Sequence, residues 1–307
     1  MRTVPASKQV PSILNIEAAL DTRTREEMKY VYAPDTQNTY QKITLWFIRW
    51  TIFMGYYANL TNFEFVINQV IPRYTSYLAA TQSYKTLKLT LNGIRLYYLG
   101  QEQPNPLANS HAHAQHMRAL RRKMGDVPKP KLPITMRELT WLALACNMNA
   151  PEEVAFTAAA MIAFFAFLRK SNVTTGHQTA TDIASAIAMQ DVIIDEQNYM
   201  LFITLRCTKT IQFGERTLRI PIYGRRGSPT DPVAWWKLHL CLQASHLPRA
   251  ADSHAFAYRK AGRWVNLTYR TFVARLKAIL HSHGINSNNY SGHSFRRGGA
   301  TLAFTAG

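Results

Sequence analysis

The sequence predicts a mainly helical α+β protein of two parts: a helical N-terminal domain, then a C-terminal domain holding one small antiparallel sheet. Three observations carry this expectation. Apolar residues recur at helical spacing from Tyr40 to Leu99, a basic and proline-rich break runs from 125 to 133, and three strand-like segments lie between 191 and 222 in an otherwise helical second half. A chain of 307 residues fits two domains better than one, and 47% hydrophobic with 18% charged residues is a globular composition.

Residues 1–33 form a polar lead-in with no unbroken apolar stretch for a signal peptide. The first domain spans 34–124. Pro34-Asp35-Thr36 supplies cap chemistry, and Ile43, Phe47, Ile48, Ile52, Phe53 and Tyr56 follow at helical spacing. Phe63 to Ala80 reads as a second helical region that Pro72 breaks or starts. Ser83 to Leu99 reads as a third, with Leu87, Leu91 and Ile94 near one face and Lys85, Lys88 and Arg95 elsewhere. Met117 to Met124 is a short basic helix. The linker, 125–133, has three prolines and no apolar period. In the second domain, 134–307, Thr135 with Glu138 three residues on is a capping-box pattern. Pro151 opens an apolar helix that runs into Phe167–Asn172 (FLRKSN). Asp191–Asp195, Tyr199–Arg206 and Thr217–Ile222 read as strands, Trp235–Ala244 as a helix, and Thr268 caps another from Tyr269 to His281.

Charge narrows the partner. The net charge is +18 with pI near 10.0, and sixteen Lys and Arg face eight Asp and Glu in residues 1–130, twenty against ten in 131–307. Such an excess repels itself unless a polyanion neutralises it, so nucleic acid is the leading partner and an anionic membrane a distant second. Two basic halves suit a clamp around a duplex. Ile43–Leu60 is interrupted by Arg49, Gly55 and Asn59, and Val154–Leu168 is too short to span a bilayer, so both read as buried helices and no membrane partner is expected. Cys146, Cys207 and Cys241 lack metal spacing and fit a reducing compartment. His111, His113 and His116 have no nearby cysteines or carboxylates to complete a metal site. No carboxylate cluster of the Mg²⁺-binding kind and no Gly-rich nucleotide loop appears, so no cofactor or metal is expected.

The residues with the most chemistry stand near the end. His293 and Arg296, three positions apart, share one face of a helical turn and can reach one small anion; arginine offers a planar fork of donors to phosphate oxygens, and histidine moves a proton near neutral pH. Gly298, Gly299 and Ala300 are small enough to let that turn lie against neighbouring backbone. Taken alone, Arg169 reads as a cation answering the C-terminal dipole of its apolar helix, and Lys209 as an exposed turn lysine.

The string Ser291-Gly292-His293-Ser294-Phe295-Arg296-Arg297-Gly298-Gly299-Ala300-Thr301 resembles the histidine-x-x-arginine box of tyrosine recombinases, above all those of eukaryotic Crypton and DIRS-type mobile elements. FLRKSN resembles their first arginine box. Cys207–Ile222 (CTKTIQFGERTLRIPI) is similar to their lysine-bearing strand-turn-strand, and the helices before the linker resemble their core-binding domain. The resemblance implies that Arg169 and Arg296 grip the scissile phosphate, Lys209 protonates the departing 5′ oxygen, and His293 manages the proton of the nucleophile. Asn172 departs from the acidic residue the family often carries there. Lys85, Lys88, Arg118, Arg121, Arg122, Lys123, Lys129 and Lys131 are candidate contacts to double-stranded DNA, and Arg297 is assigned to backbone phosphate contact or structure.

In that family a second histidine or tryptophan and the nucleophilic tyrosine follow this box, so residues 1–307 are expected to bind DNA without cutting it. Tyr290 precedes the box and is not expected to be the nucleophile. The resemblance further implies a nuclear protein, a homotetramer on DNA for the intact enzyme, and a fragment that is monomeric in solution. Two other readings stay open: a DNA-binding protein without chemistry, and a type IB topoisomerase-like enzyme.

Overall fold

The computed structural model describes residues 20–24, 26–27, 31–32, 34–108, 110–126, 130–177, 185–206, 216–244 and 250–306. The chain divides into two compact units, Met1–Pro128 and Lys129–Gly307.

The first unit is helical. Helix α1 (Pro34–Phe53) is followed by a 3₁₀ turn, Tyr57–Asn59, and a short helical turn, Phe63–Phe65, whose N–H of Phe65 is accepted by the side chain of Asn62 at 3.0 Å. The chain then widens into a π-helical turn, Val66–Val70, before α2 (Ile71–Thr81). Pro72 explains the widening. It has no N–H to give and its ring crowds the carbonyl four residues back, so a turn of larger radius lets the axis continue where an α-turn would break. The proline therefore neither ends the helical region nor begins it. Helix α3 (Tyr84–Leu99) starts where the Ser83 hydroxyl accepts the N–H of Thr86 at 3.3 Å. Helix α4 (His111–Met124) starts six residues before the expected Met117, because the Ser110 hydroxyl accepts the N–H of His113 at 3.1 Å. Its first turns carry no apolar stripe, and Leu120 is its one buried residue, so periodicity gave no sign of them. Phe47, Val66, Ile71, Tyr74, Leu78, Leu87, Leu91 and Ile94 form the core of this unit.

The second unit is built around one helix. Helix α5 (Met136–Leu144) begins at Thr135, whose N–H donates to the Glu138 carboxylate at 2.7 Å and whose hydroxyl donates to the same oxygen. Helix α6 (Pro151–Phe165) is buried without interruption from Val154 to Phe164 and packs against α5, α8 (Pro232–Cys241) and α10 (His293–Thr305). An all-round apolar helix of this length belongs in a protein centre, and among the described residues no helix is long and apolar enough to cross a membrane. A four-residue helix, α7 (Lys170–Val173), follows it.

Strands β1 (Val192–Asp195), β2 (Met200–Leu205) and β3 (Leu218–Tyr223) form an antiparallel sheet in that order, Val192 opposite Ile203 and Ile203 opposite Ile220. Pro221 is tolerated because β3 is an edge strand. A second hairpin, β4 (Tyr258–Lys260) with β5 (Arg263–Val265), was not anticipated; strands of three residues are too short to show alternation. Helix α8 begins three residues before the expected Trp235, since Asp231 caps it by accepting the N–H groups of Val233 at 2.9 Å and Ala234 at 3.3 Å, with Pro232 at the first turn. Helix α9 (Tyr269–Ser282) is capped by Thr268, whose hydroxyl accepts the N–H of Thr271 at 3.1 Å.

Candidate active site

The apolar helix does not carry Arg169 on its last turn. Helix α6 stops at Phe165, Phe167 turns the chain in the left-handed region at φ 54°, and Arg169 resumes in extended backbone as the cap residue of α7. The reading of Arg169 as a cation on a helix C-terminus is therefore corrected: it stands in extended backbone beyond the end of α6, just before the four-residue α7. Asn172 fixes the corner. It is buried, its Oδ1 accepts the Arg169 N–H at 3.1 Å, and its Nδ2 donates to the Ser185 carbonyl at 3.0 Å. A carboxylate could keep the first bond but has no proton for the second, which gives the departure to asparagine a local reason.

Helix α10 presents His293 and Arg296 from its first turn. The Ser291 hydroxyl accepts the His293 N–H at 3.3 Å, while the buried Ser294 hydroxyl accepts the Ser291 N–H at 3.0 Å. One turn on, the helix backbone presses on the corner after α6. A Cβ at Gly298 would overlap the Ile134 carbonyl oxygen and come 2.9 Å from Phe164 Cε2; one at Gly299 would overlap the Phe164 carbonyl oxygen and come 2.6 Å from Phe167 Cδ1. Only glycine permits this approach, and the approach sets His293 and Arg296 beside Arg169. Ala300 is exposed and takes no part in it.

The electrostatics report the convergence. Partial burial, then the charges of Lys170, Arg169 and Arg296, hold the His293 imidazole below its usual protonation range. Burial and the neighbouring Arg169 lower the Arg296 guanidinium. Among the described residues neither arginine has an acidic partner. Two guanidiniums, an imidazole and an ammonium close together, with no ion pair to a carboxylate among the described residues, form a site suited to an anion.

The remaining expected residues divide. Lys209 and Lys129 lie outside the described residues. Lys85, Arg118, Arg122 and Lys123 are exposed on α3 and α4 with no ion pair among the described residues, whereas Lys88 and Arg121 share Asp126 at 3.3 and 3.4 Å. Arg297 donates to the Lys131 carbonyl and Lys131 Nζ to the Asn288 carbonyl at 2.6 Å. The Arg297 guanidinium thereby fastens the chain entering this unit. His111 and His116 are engaged with Gln115 at 2.7 Å and Ser76 at 3.5 Å, and no group of three metal-ligating side chains assembles among the described residues. Tyr290 is buried, and burial, then the Glu138 carboxylate, pushes its phenol up. Lys170, with Nζ 4.0 Å from the centre of the Tyr269 ring, was missed; its place follows from a corner that sequence reading ran into the preceding helix. An open cleft of about 630 Å³ in the first unit, lined by residues that include Trp46, Trp50, Phe53, Tyr74 and Tyr77, has no carboxylate or histidine in its lining.

No protein-family model and no curated protein matches the sequence. Solved structures do. The XerH site-specific recombinase bound to its difH substrate in a pre-cleavage complex matches with TM-score 0.51 and 13% identity, over 77% of this chain and 59% of that one. The same recombinase on a palindromic difH substrate, in a post-cleavage complex, matches with TM-score 0.52 and 14% identity, over 77% of this chain and 61% of that one. The chain spans about three fifths of the length of those proteins. Its fold is the α+β fold of the tyrosine recombinases.

Proposed function

We propose that this chain is the DNA-binding and partial catalytic region of a tyrosine recombinase, of the kind carried by eukaryotic Crypton and DIRS-type elements, acting on double-stranded DNA in the nucleus. The observation that carries this is the meeting of Arg169, His293 and Arg296 at two helix starts without a carboxylate. Attack of an oxygen nucleophile on a phosphodiester builds negative charge on the non-bridging oxygens of a pentacovalent phosphorus. Two guanidiniums set in place beforehand stabilise that charge with no reorganisation at the moment of reaction, and removing one such donor costs on the order of a hundredfold to a thousandfold in rate. His293, held toward its neutral form, accepts the proton of the attacking hydroxyl. Lys209 supplies the proton to the departing 5′ oxygen. The intact enzyme forms a 3′-phosphotyrosine and exchanges strands in a homotetramer; the phosphodiester energy is kept in the protein linkage, so rejoining needs no external energy. Residues 1–307 bind the duplex without cutting it.

The test is duplex binding by the chain and by its Arg169→Ala/Arg296→Ala variant, with a denaturing gel of each after incubation on a nicked duplex. Binding by the chain, weakened in the variant, with no covalent protein–DNA band, is the expected result. Equal affinity of the two proteins would remove the phosphate from this site, and a covalent band would place a nucleophile within residues 1–307.

A further inference from the structure

We propose that Lys170 is a positioning residue of this site, a third cation that Tyr269 holds against the start of α10 beside His293. The inference rests on the phosphate-binding reading above and deepens it. Three element starts meet here: Lys170 is the first residue of α7, Tyr269 the first of α9, and Gly292 the cap residue of α10. The ammonium lies 4.0 Å from the centre of the Tyr269 ring, a cation on the negative face of an aromatic. Both side chains press on Gly292, where a Cβ would come 2.9 Å from Lys170 Cβ and 3.0 Å from Tyr269 Cε2. A lysine stem normally carries much rotamer freedom. Here the Tyr269 ring meets its tip and Gly292 lies against its Cβ, and no acidic side chain among the described residues neutralises the charge.

The fixed charge has a consequence for His293. The groups that face the imidazole are Lys170 and Arg169 from α7, Arg296 from its own helix, and the Tyr269 ring from α9 at Lys170. After partial burial, Lys170 is the largest of the charges that disfavour the imidazolium, ahead of either arginine. The arginines are committed to the phosphate; the lysine sits to one side and keeps the imidazole ready to accept a proton. A lysine in this place also offers a phosphate contact to the DNA strand.

The measurement is a proton NMR titration of the His293 ring in the whole chain, its resonance assigned by its loss in His293→Gln. Lys170→Gln keeps most of the stem and removes the charge; its His293 midpoint should rise toward the ordinary value near 6.5. Lys170→Arg should restore the wild-type midpoint, and Tyr269→Leu, which frees the ammonium, should fall between. A His293 midpoint unchanged in both Lys170→Gln and Tyr269→Leu overturns the proposal. Duplex affinity of the same proteins separates the two readings: a raised midpoint in a chain that binds no duplex supports the placement of Lys170 and overturns the phosphate reading. Duplex binding with an unmoved midpoint overturns only the role of Lys170.

Discussion

At the scale of single residues, the site depends on atoms that are missing. Gly298 and Gly299 bring α10 onto the carbonyls of Ile134 and Phe164, and both are buried. Gly298→Ala must push a methyl into backbone that cannot rotate away, so it should destabilise the second unit by about 2–3 kcal/mol, seen as a lower urea midpoint. Ala300→Ser, two residues on and exposed, should leave the midpoint in place. The small residues were legible in the sequence as a close approach; which of the three make it was not, because that depends on the tilt of α10 against α6. His293 gives a pH dependence whose sign is fixed. Its protonation is disfavoured in the folded chain, so the unfolded chain binds the proton more readily. The contribution is fully present above the unfolded value near 6.5 and is lost as pH falls below it through the lowered folded value. The urea midpoint of the wild type should therefore fall between pH 7 and pH 5 more than that of His293→Gln. His113, lowered by burial and then by His116, acts in the same direction in the first unit, which is why the difference between the two proteins is the measure.

At the scale of elements, caps decided which helices could be read. Thr135 and Thr268 mark their helices in the sequence; in the structure the Glu138 carboxylate accepts the Thr135 N–H and the Thr268 hydroxyl accepts that of Thr271. The α6–α7 corner was invisible because Ala166, Phe167 and Leu168 continue the apolar run while the backbone has already turned, with the left-handed Phe167 packed at Gly299. Helix α8 starts ahead of the expected Trp235 because Asp231-Pro232 begins it. That aspartate does more than cap: it is buried and its second oxygen accepts the Tyr199 hydroxyl at 2.8 Å, joining the helix to the start of β2. Asp231→Ala removes the cap and leaves the phenol without this acceptor, so it should cost about 2 kcal/mol, at the upper end for a cap. Asp231→Asn, which retains the capping oxygen, should recover most of it. Equal thermal midpoints for the alanine variant and the wild type would show that Pro232 alone starts the helix.

At the scale of the molecule, a net charge of +18 is the property that most constrains the partner, yet the charges are not equivalent. Lys88 and Arg121 already share Asp126, Arg297 and Lys131 are engaged on backbone carbonyls, and Arg118, Arg122 and Lys123 stand exposed on α4 with no acidic partner among the described residues. Counting basic residues in the sequence weights all of these alike; only the three-dimensional pairing separates those with a counter-charge from those without. A lysine or arginine that neutralises a DNA phosphate releases a condensed cation, and each such contact steepens the fall of log affinity with log salt by about 0.9. For Arg118→Ala/Arg122→Ala/Lys123→Ala the slope should become shallower by up to roughly 3, measured by fluorescence anisotropy of a labelled duplex across salt. Lys88→Ala, whose ammonium sits on Asp126, should change it by well under one such contact. A triple variant with the wild-type slope would take α4 off the DNA and leave the cations of the second unit to account for the binding.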